Sequence, residues 1–280
     1  MLLNARIDPA LMGSSTVTGG STLEDLAAQM RLDARVALVT GAGAGIGRAT
    51  ARALARAGAV VSVTDIDPAR AARVADEITA AGGQAISAVL DVADEDQASR
   101  VVEQTVSRHG RVDVLVNNAG IGARMPTVDL ASDRWERVLD VGLSGTFFCS
   151  RAAAKHMIAQ GQGAIINVAS IMGLTGGGLY PNPAYHAVKG ALVNLTRAWA
   201  LEWAPSRIRV NAVAPAFVRT ALVEPLMADP TLRQAIIDAT PLGRLIEPEE
   251  VAAAIVFLAS DAAAMITGHT LPIDGGWLAR

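Results

Sequence analysis

Apolar and polar positions alternate between two periods from about Leu32 onward: short β-branched runs recur, separated by Ala-rich or amphipathic stretches with helical spacing. The first run is Val36 to Thr40, followed by a helical stretch Gly45 to Ala57 and a second run Val60 to Thr64. Asp67 is placed to cap a helix with Pro68 at its first position, running to about Ala81 before Gly82-Gly83 stops it. Ala85 to Leu90, Val112 to Val116, Ala164 to Val168, Ile208 to Ala214 and Thr270 to Ile273 read as further strands. Helices are expected from about Glu95 to His109, around Trp135 to Met157 with a break near Gly142, and from Tyr185 to about Trp203. Such alternation is the pattern of parallel βαβ units, so the fold class is α/β, a single doubly wound parallel sheet of about seven strands with helices on both faces.

Composition narrows the class without naming a reaction. At 280 residues, 51% hydrophobic and 18% charged, the chain can bury one large core. The expected division is an N-terminal appendage, residues 1–32, and one large domain, residues 33–280. The appendage is rich in Ser, Thr and Gly around positions 13 to 22, then shows a short helical pattern from Leu23 to Met30. Packing on a neighbouring subunit and simple disorder are its two readings. A net charge of −3 and a pI near 5.8 give no reason to expect nucleic acid or an anionic membrane as partner. Arg6 and Asp8 interrupt any signal peptide, and no apolar stretch is long enough to span a bilayer. The single cysteine, Cys149, excludes an intrachain disulfide, and the cytoplasm is the default location. It lies in the apolar run Thr146-Phe147-Phe148-Cys149, where a buried structural thiol is expected. The four histidines lack metal-ligand spacing, so no metal is expected.

Candidate chemistry begins at the first strand-to-helix turn, Thr40-Gly41-Ala42-Gly43-Ala44-Gly45-Ile46-Gly47. Glycines there let backbone amides approach a pyrophosphate, and the helix N-terminus adds a favourable dipole. This context makes the sheet Rossmann-type. Asp65 follows Gly47 by 18 residues, near the interval at which a carboxylate accepts from the adenosine ribose. Its charge would repel a 2′-phosphate, so the expected cofactor is NAD and not NADP. Far downstream, Tyr185 and Lys189 stand four apart on one helix face, with Ser170 before them. A positive charge about 4 Å from a phenolate would lower a tyrosine pKa by roughly three units. On that spacing Tyr185 is a general base near neutral pH.

Together these residues resemble the short-chain dehydrogenase/reductase family over about Leu32 to Gly276. The resemblance also rests on Leu90-Asp91-Val92, Asn117-Asn118-Ala119-Gly120, Ile166-Asn167-Val168-Ala169-Ser170 and Asn211-Ala212-Val213-Ala214-Pro215. It implies cofactor contacts from Gly41, Gly45, Ile46, Gly47, Asp65, Asp91, Val92, Asn118, Tyr185, Lys189, Pro215, Val218 and Thr220, with Asp91 at the adenine. Ala216 replaces a usual glycine in the segment that holds the nicotinamide amide. By the same resemblance Ser170 holds the substrate oxygen, Tyr185 exchanges a proton with it, and Lys189 binds the nicotinamide ribose and lowers the Tyr185 pKa. Hydride then passes between the carbinol carbon and the nicotinamide. The implied assembly is a homo-oligomer, usually a tetramer, with the Trp199 and Trp203 helix and the Ile273 to Leu278 segment as candidate interfaces.

One position departs from the family. The segment Gly142-Leu143-Ser144-Gly145-Thr146-Phe147 has glycine where the family has an asparagine that helps to hold a relay water. Glycine preserves the kink but offers no side chain, and a backbone carbonyl or bulk water is expected to complete the relay. Specificity is expected from three loops, about Ile121 to Pro126, Gly173 to Pro183 and Ala216 to Pro241, with Tyr180 and Asn182 above the substrate. The leading reading is an NAD-dependent dehydrogenase of a secondary alcohol or ketone, polyol or sugar-like. A 3-oxoacyl thioester reductase, with Arg124 and Arg151 meeting an acidic carrier protein, is the alternative, and a catalytically weak NAD-binding sensor is a third.

Overall fold

The computed structural model describes residues 23–280; the Ser/Thr/Gly-rich stretch expected around 13 to 22 lies outside the described residues. Helix α1 (Leu23–Gln29) precedes the sheet, and Met30 just beyond it meets the Ser260 hydroxyl of the same chain through its sulfur at 3.8 Å. Leu32 is already part of the core.

From there strands and helices alternate as β1 (Val36–Val39), α2 (Gly45–Arg56), β2 (Val60–Asp65), α3 (Pro68–Ala80), β3 (Gln84–Val89) and α4 (Glu95–His109). Next come β4 (Val114–Asn117), α5 (Ser132–Leu139), α6 (Gly145–Gln160), β5 (Gly163–Val168), α7 (Pro183–Trp203) and β6 (Ile208–Pro215). Three helices, α8 (Glu224–Ala228), α9 (Pro230–Asp238) and α10 (Pro248–Ala259), precede the last strand, β7 (Thr270–Ile273). Asp67 caps α3 as expected, accepting from the Ala69 and Arg70 amides. The periodicity reading passed over α10 because its sequence is apolar on nearly every face; its start is nonetheless marked by a Glu247/Glu250 capping box and Pro248.

All seven strands are parallel, in the order β3-β2-β1-β4-β5-β6-β7. In the five inner strands side chains alternate between two buried faces, which is why these strands read as near-continuous apolar runs, whereas the edge strands β3 and β7 are partly exposed. Ala37 and Val39 pack with Leu54 of α2, Val74 of α3 and Ile255 of α10. Leu38 and Ile165 point the other way, to Val101 of α4, Met157 of α6 and Trp199 of α7. Trp199 is thus buried within its own chain, stacked on Trp203 with centroids 5.3 Å apart. Cys149 is buried as well, and burial pushes its thiol up to about 12. The strand order reverses between β1 and β4, so loops after these strands diverge and leave a crevice at their carboxyl ends.

A buried polar chain locks the elements below that crevice. Asn117 Nδ2 of β4 donates to Asn167 Oδ1 of β5 and to Ser150 Oγ of α6; Asn167 Nδ2 donates to Thr196 Oγ1 of α7, and Thr196 to the Leu192 carbonyl, all at 2.8–2.9 Å. Thr196→Val keeps the shape but leaves the Asn167 amide unpaired, so we expect a loss of about 1 kcal/mol, read as a lower urea midpoint at unchanged slope.

Candidate active site

The crevice is a cavity of about 480 Å³. Every residue assigned from sequence to cofactor or catalysis lies on its wall except Gly47. Gly47 faces the loop behind: a Cβ there would sit 2.3 Å from the Gly41 carbonyl and 2.5 Å from Asn118 Nδ2. Its role is close packing of α2 against the turn. Asn118 likewise holds the turn, its Nδ2 donating to the Thr40 and Gly41 carbonyls at 2.9 Å.

The cradle fits a dinucleotide. Ala44, at the N-cap of α2, supplies no side-chain cap, and Ala44, Gly45 and Ile46 border the cavity, so the first-turn amides open toward it. By contrast, α3 and α4 are capped by Asp67 and Asp94. Asp65 ends β2 and accepts from the Gly43 and Asp67 amides at 2.9 and 3.0 Å. Each oxygen keeps a lone pair for a further donor. Asp91 accepts from the Ala93 amide at 3.0 Å and from Arg137 of α5 at 3.2 Å. Arg137 borders the cavity and was not foreseen, because only the fold brings it to Asp91 across 46 residues of chain.

Ser170 follows β5 in extended conformation; its hydroxyl accepts from the Met172 amide at 3.2 Å and lies 3.3 Å from the Pro215 carbonyl. Tyr185 and Lys189 stand one turn apart near the start of α7, which begins at Pro183. The electrostatics differ from the spacing argument. Lys189 Nζ donates to the Val168 carbonyl at 2.6 Å and lies over the Tyr185 ring, 5.3 Å from its centroid. Burial then dominates: it pushes the Tyr185 phenol up to about 12, Ser170 pulling the other way, and brings Lys189 down to about 8. At these values the Tyr185 phenol is protonated at neutral pH and Lys189 is mostly charged.

The helix break near Gly142 is a single π turn, Asp140–Ser144, between α5 and α6. A Cβ on Gly142 would lie 2.6 Å from Val188 Cγ1, the residue directly before Lys189. The Gly142 carbonyl already accepts from Thr146 at 2.9 Å. Val188 therefore occupies the space where a side chain at 142 would begin, and an asparagine cannot simply be restored there.

The family profile described as enoyl-(acyl carrier protein) reductase matches residues 41–278. The chain belongs to the short-chain dehydrogenase/reductase family. It is similar to cis-4-hydroxycyclohexanecarboxylate dehydrogenase of Sinomonas cyclohexanicum, 45% identical over 88% of this chain and 97% of that one. It is similar also to a 3-oxoacyl-[acyl-carrier-protein] reductase of Thermotoga maritima, 41% identical over 88% of this chain and 99% of that one. Among solved structures it resembles a gluconate 5-dehydrogenase from Burkholderia cenocepacia in complex with NADP and tartrate, with a TM-score of 0.88 and 37% identity, covering 91% of this chain and 99% of that one. This short-chain dehydrogenase/reductase is thus an NAD(P)-dependent oxidoreductase acting on a small molecule. No helix among the described residues is long and apolar enough to cross a membrane, and no cluster of His, Cys, Asp or Glu among them is suited to a metal ion.

Proposed function

We propose that the protein is an NAD-dependent dehydrogenase of a small secondary alcohol, polyol-like or carried on a compact ring. The observation that carries this reading is the meeting of Ser170, Tyr185 and Lys189 in one cavity with the uncapped start of α2. The Sinomonas and Burkholderia proteins are named for secondary alcohols of this kind, a hydroxylated cyclohexane ring and a sugar acid.

When bound, NAD accepts or donates the hydride. The rest falls to the chain's own residues. Ser170 holds the substrate oxygen over Tyr185, which takes the alcohol proton in oxidation and returns it in reduction. Lys189, held by the Val168 carbonyl, keeps a positive charge over the ring and orients the ribose. Most of the contribution is alignment, since reacting groups held in place need no further ordering in the transition state.

Cofactor choice turns on Asp65, whose carboxylate offers acceptors to ribose hydroxyls and repels a 2′-phosphate. The neighbouring Arg70 is engaged with Asp67 at 3.2 Å. Asp65→Ala is expected to lower the NAD-to-NADP ratio of kcat/KM by at least about 10-fold. Steady-state rates with both cofactors test this, and an unchanged ratio removes Asp65 from the discrimination.

The thioester-reductase alternative has the Thermotoga relative on its side. It needs basic groups turned outward to a carrier protein. Arg151 instead pairs with Glu95, and Arg124 donates to the Leu222 carbonyl. A panel of secondary alcohols, polyols and 3-hydroxyacyl thioesters with NAD and NADP decides between them: thioester turnover with NADP favours the reductase, and cofactor binding without any turnover favours a sensor.

A further inference from the structure

Charged residues on the cavity wall fall into two groups. Asp65, Arg70, Asp91 and Arg137 lie beyond the tips of β2 and β3, where Arg70 pairs with Asp67 and Arg137 with Asp91 at 3.2 Å each. Arg124 is elsewhere. It follows β4, yet its guanidinium lies 5.5 Å from the Tyr180 ring centroid and its Nη2 donates to the Leu222 carbonyl, so it stands between the loops that follow β5 and β6. This is the end of the cavity that holds Ser170 and Tyr185.

Arg124 forms no ion pair among the described residues. Its Nε is buried with no hydrogen-bond partner among them. Its charge opposes the upward shift of both Tyr180 and Tyr185, which places it within electrostatic reach of the reacting phenol. Asn182, on the same wall and facing Gly122 two residues before Arg124, is only 6% exposed, and its Oδ1 is also unpartnered. A turned amide presents Nδ2 in the same place. A half-buried guanidinium whose Nε lacks a partner and which has no counter-charge is an incomplete arrangement, and its planar set of donors matches the two oxygens of a carboxylate.

We propose that Arg124 anchors a carboxylate on the substrate, so that the alcohol oxidised is a small hydroxy acid, its carbinol over Tyr185 and its carboxylate held by Arg124 with Asn182 alongside. This rests on the dehydrogenase reading and adds the chemical class to it. The competing role for Arg124 is a latch that ties the loop after β4 to Leu222 and Tyr180, which would affect charged and neutral substrates alike.

The test compares matched substrates that differ only in charge: 4-hydroxycyclohexanecarboxylate, its carboxamide, and cyclohexanol. The wild-type enzyme is expected to favour the acid over the amide in kcat/KM, and Arg124→Met to reduce that ratio at least 30-fold, in line with the loss of a charge-assisted pair. Arg124→Lys, which keeps the charge but not the fork, is expected to recover part of it. Isothermal titration of unreactive cyclohexanecarboxylate into the enzyme–NADH complex gives a readout independent of turnover, with binding expected in the wild type and lost in Arg124→Met. Equal turnover of acid and amide, or an acid-to-amide ratio unchanged in Arg124→Met, overturns the anchor while leaving the dehydrogenase reading intact. Absence of turnover with every alcohol, neutral ones included, overturns the dehydrogenase reading and this assignment with it.

Discussion

Tyr185→Phe is expected to reduce kcat for alcohol oxidation by about 10²–10⁴-fold, the range that a positioned acid or base contributes. Phenylalanine fills the same space, so the fold and cofactor affinity are expected to persist, and the loss should appear in kcat and not in KM for NAD. The pH dependence follows from the burial of the phenol. Because burial raises the Tyr185 pKa up to about 12, the protonated form dominates at neutral pH and the phenolate fraction grows as pH rises. Oxidation needs the phenolate, so its rate is expected to climb with pH through the alkaline range, while ketone reduction, which needs the phenol proton, falls. A pH–rate profile in both directions checks this. An oxidation plateau already reached at pH 7 would mean that the Lys189 charge outweighs burial in the working complex, as the four-residue spacing alone implies.

Gly142→Asn is expected to lower stability by about 3 kcal/mol, at the upper end of the cost of forcing atoms into a packed site. The asparagine Cβ would begin 2.6 Å from Val188 Cγ1, and Val188 is carried on the turn that aims Lys189. Activity is expected to fall with stability, since displacing Val188 tilts Lys189 away from the Val168 carbonyl. Val188→Ala opens the space, so the double variant Gly142→Asn/Val188→Ala is expected to recover most of the loss. Chemical denaturation and kcat for the two single variants and the double variant form a cycle with a favourable coupling energy. Additive effects would show that the two positions do not share the space. Turnover of the double variant above wild type would mean that the natural enzyme runs without a relay group that an asparagine supplies.

The α/β architecture was legible because parallel strands buried on both faces must be apolar throughout, and the helices between them mostly carry local stop signals. Asp67 with Pro68 marked α3, and the match for Glu95 to His109 was complete at both ends. What escaped were α8, α9 and α10. The first two lie in a segment read as a loop, and α10 has no polar stripe to reveal its period. The candidate residues were legible for a related reason. The glycine turn, Asp65 at the strand end and the Tyr185–Lys189 spacing are local relations, and local geometry places each on its element.

The relations between elements were not legible. That burial and not the Lys189 charge governs the Tyr185 phenol, that Val188 fills the space beside Gly142, that Arg137 reaches Asp91, and that Arg124 turns inward without a counter-charge all depend on segments brought together across the sheet. Local pattern by itself determined which backbone elements form and which chemical groups each one carries. Tertiary packing decided their dehydration and their mutual distances, because the electrostatic strength of a charge and the room for a side chain are set by neighbours distant in sequence.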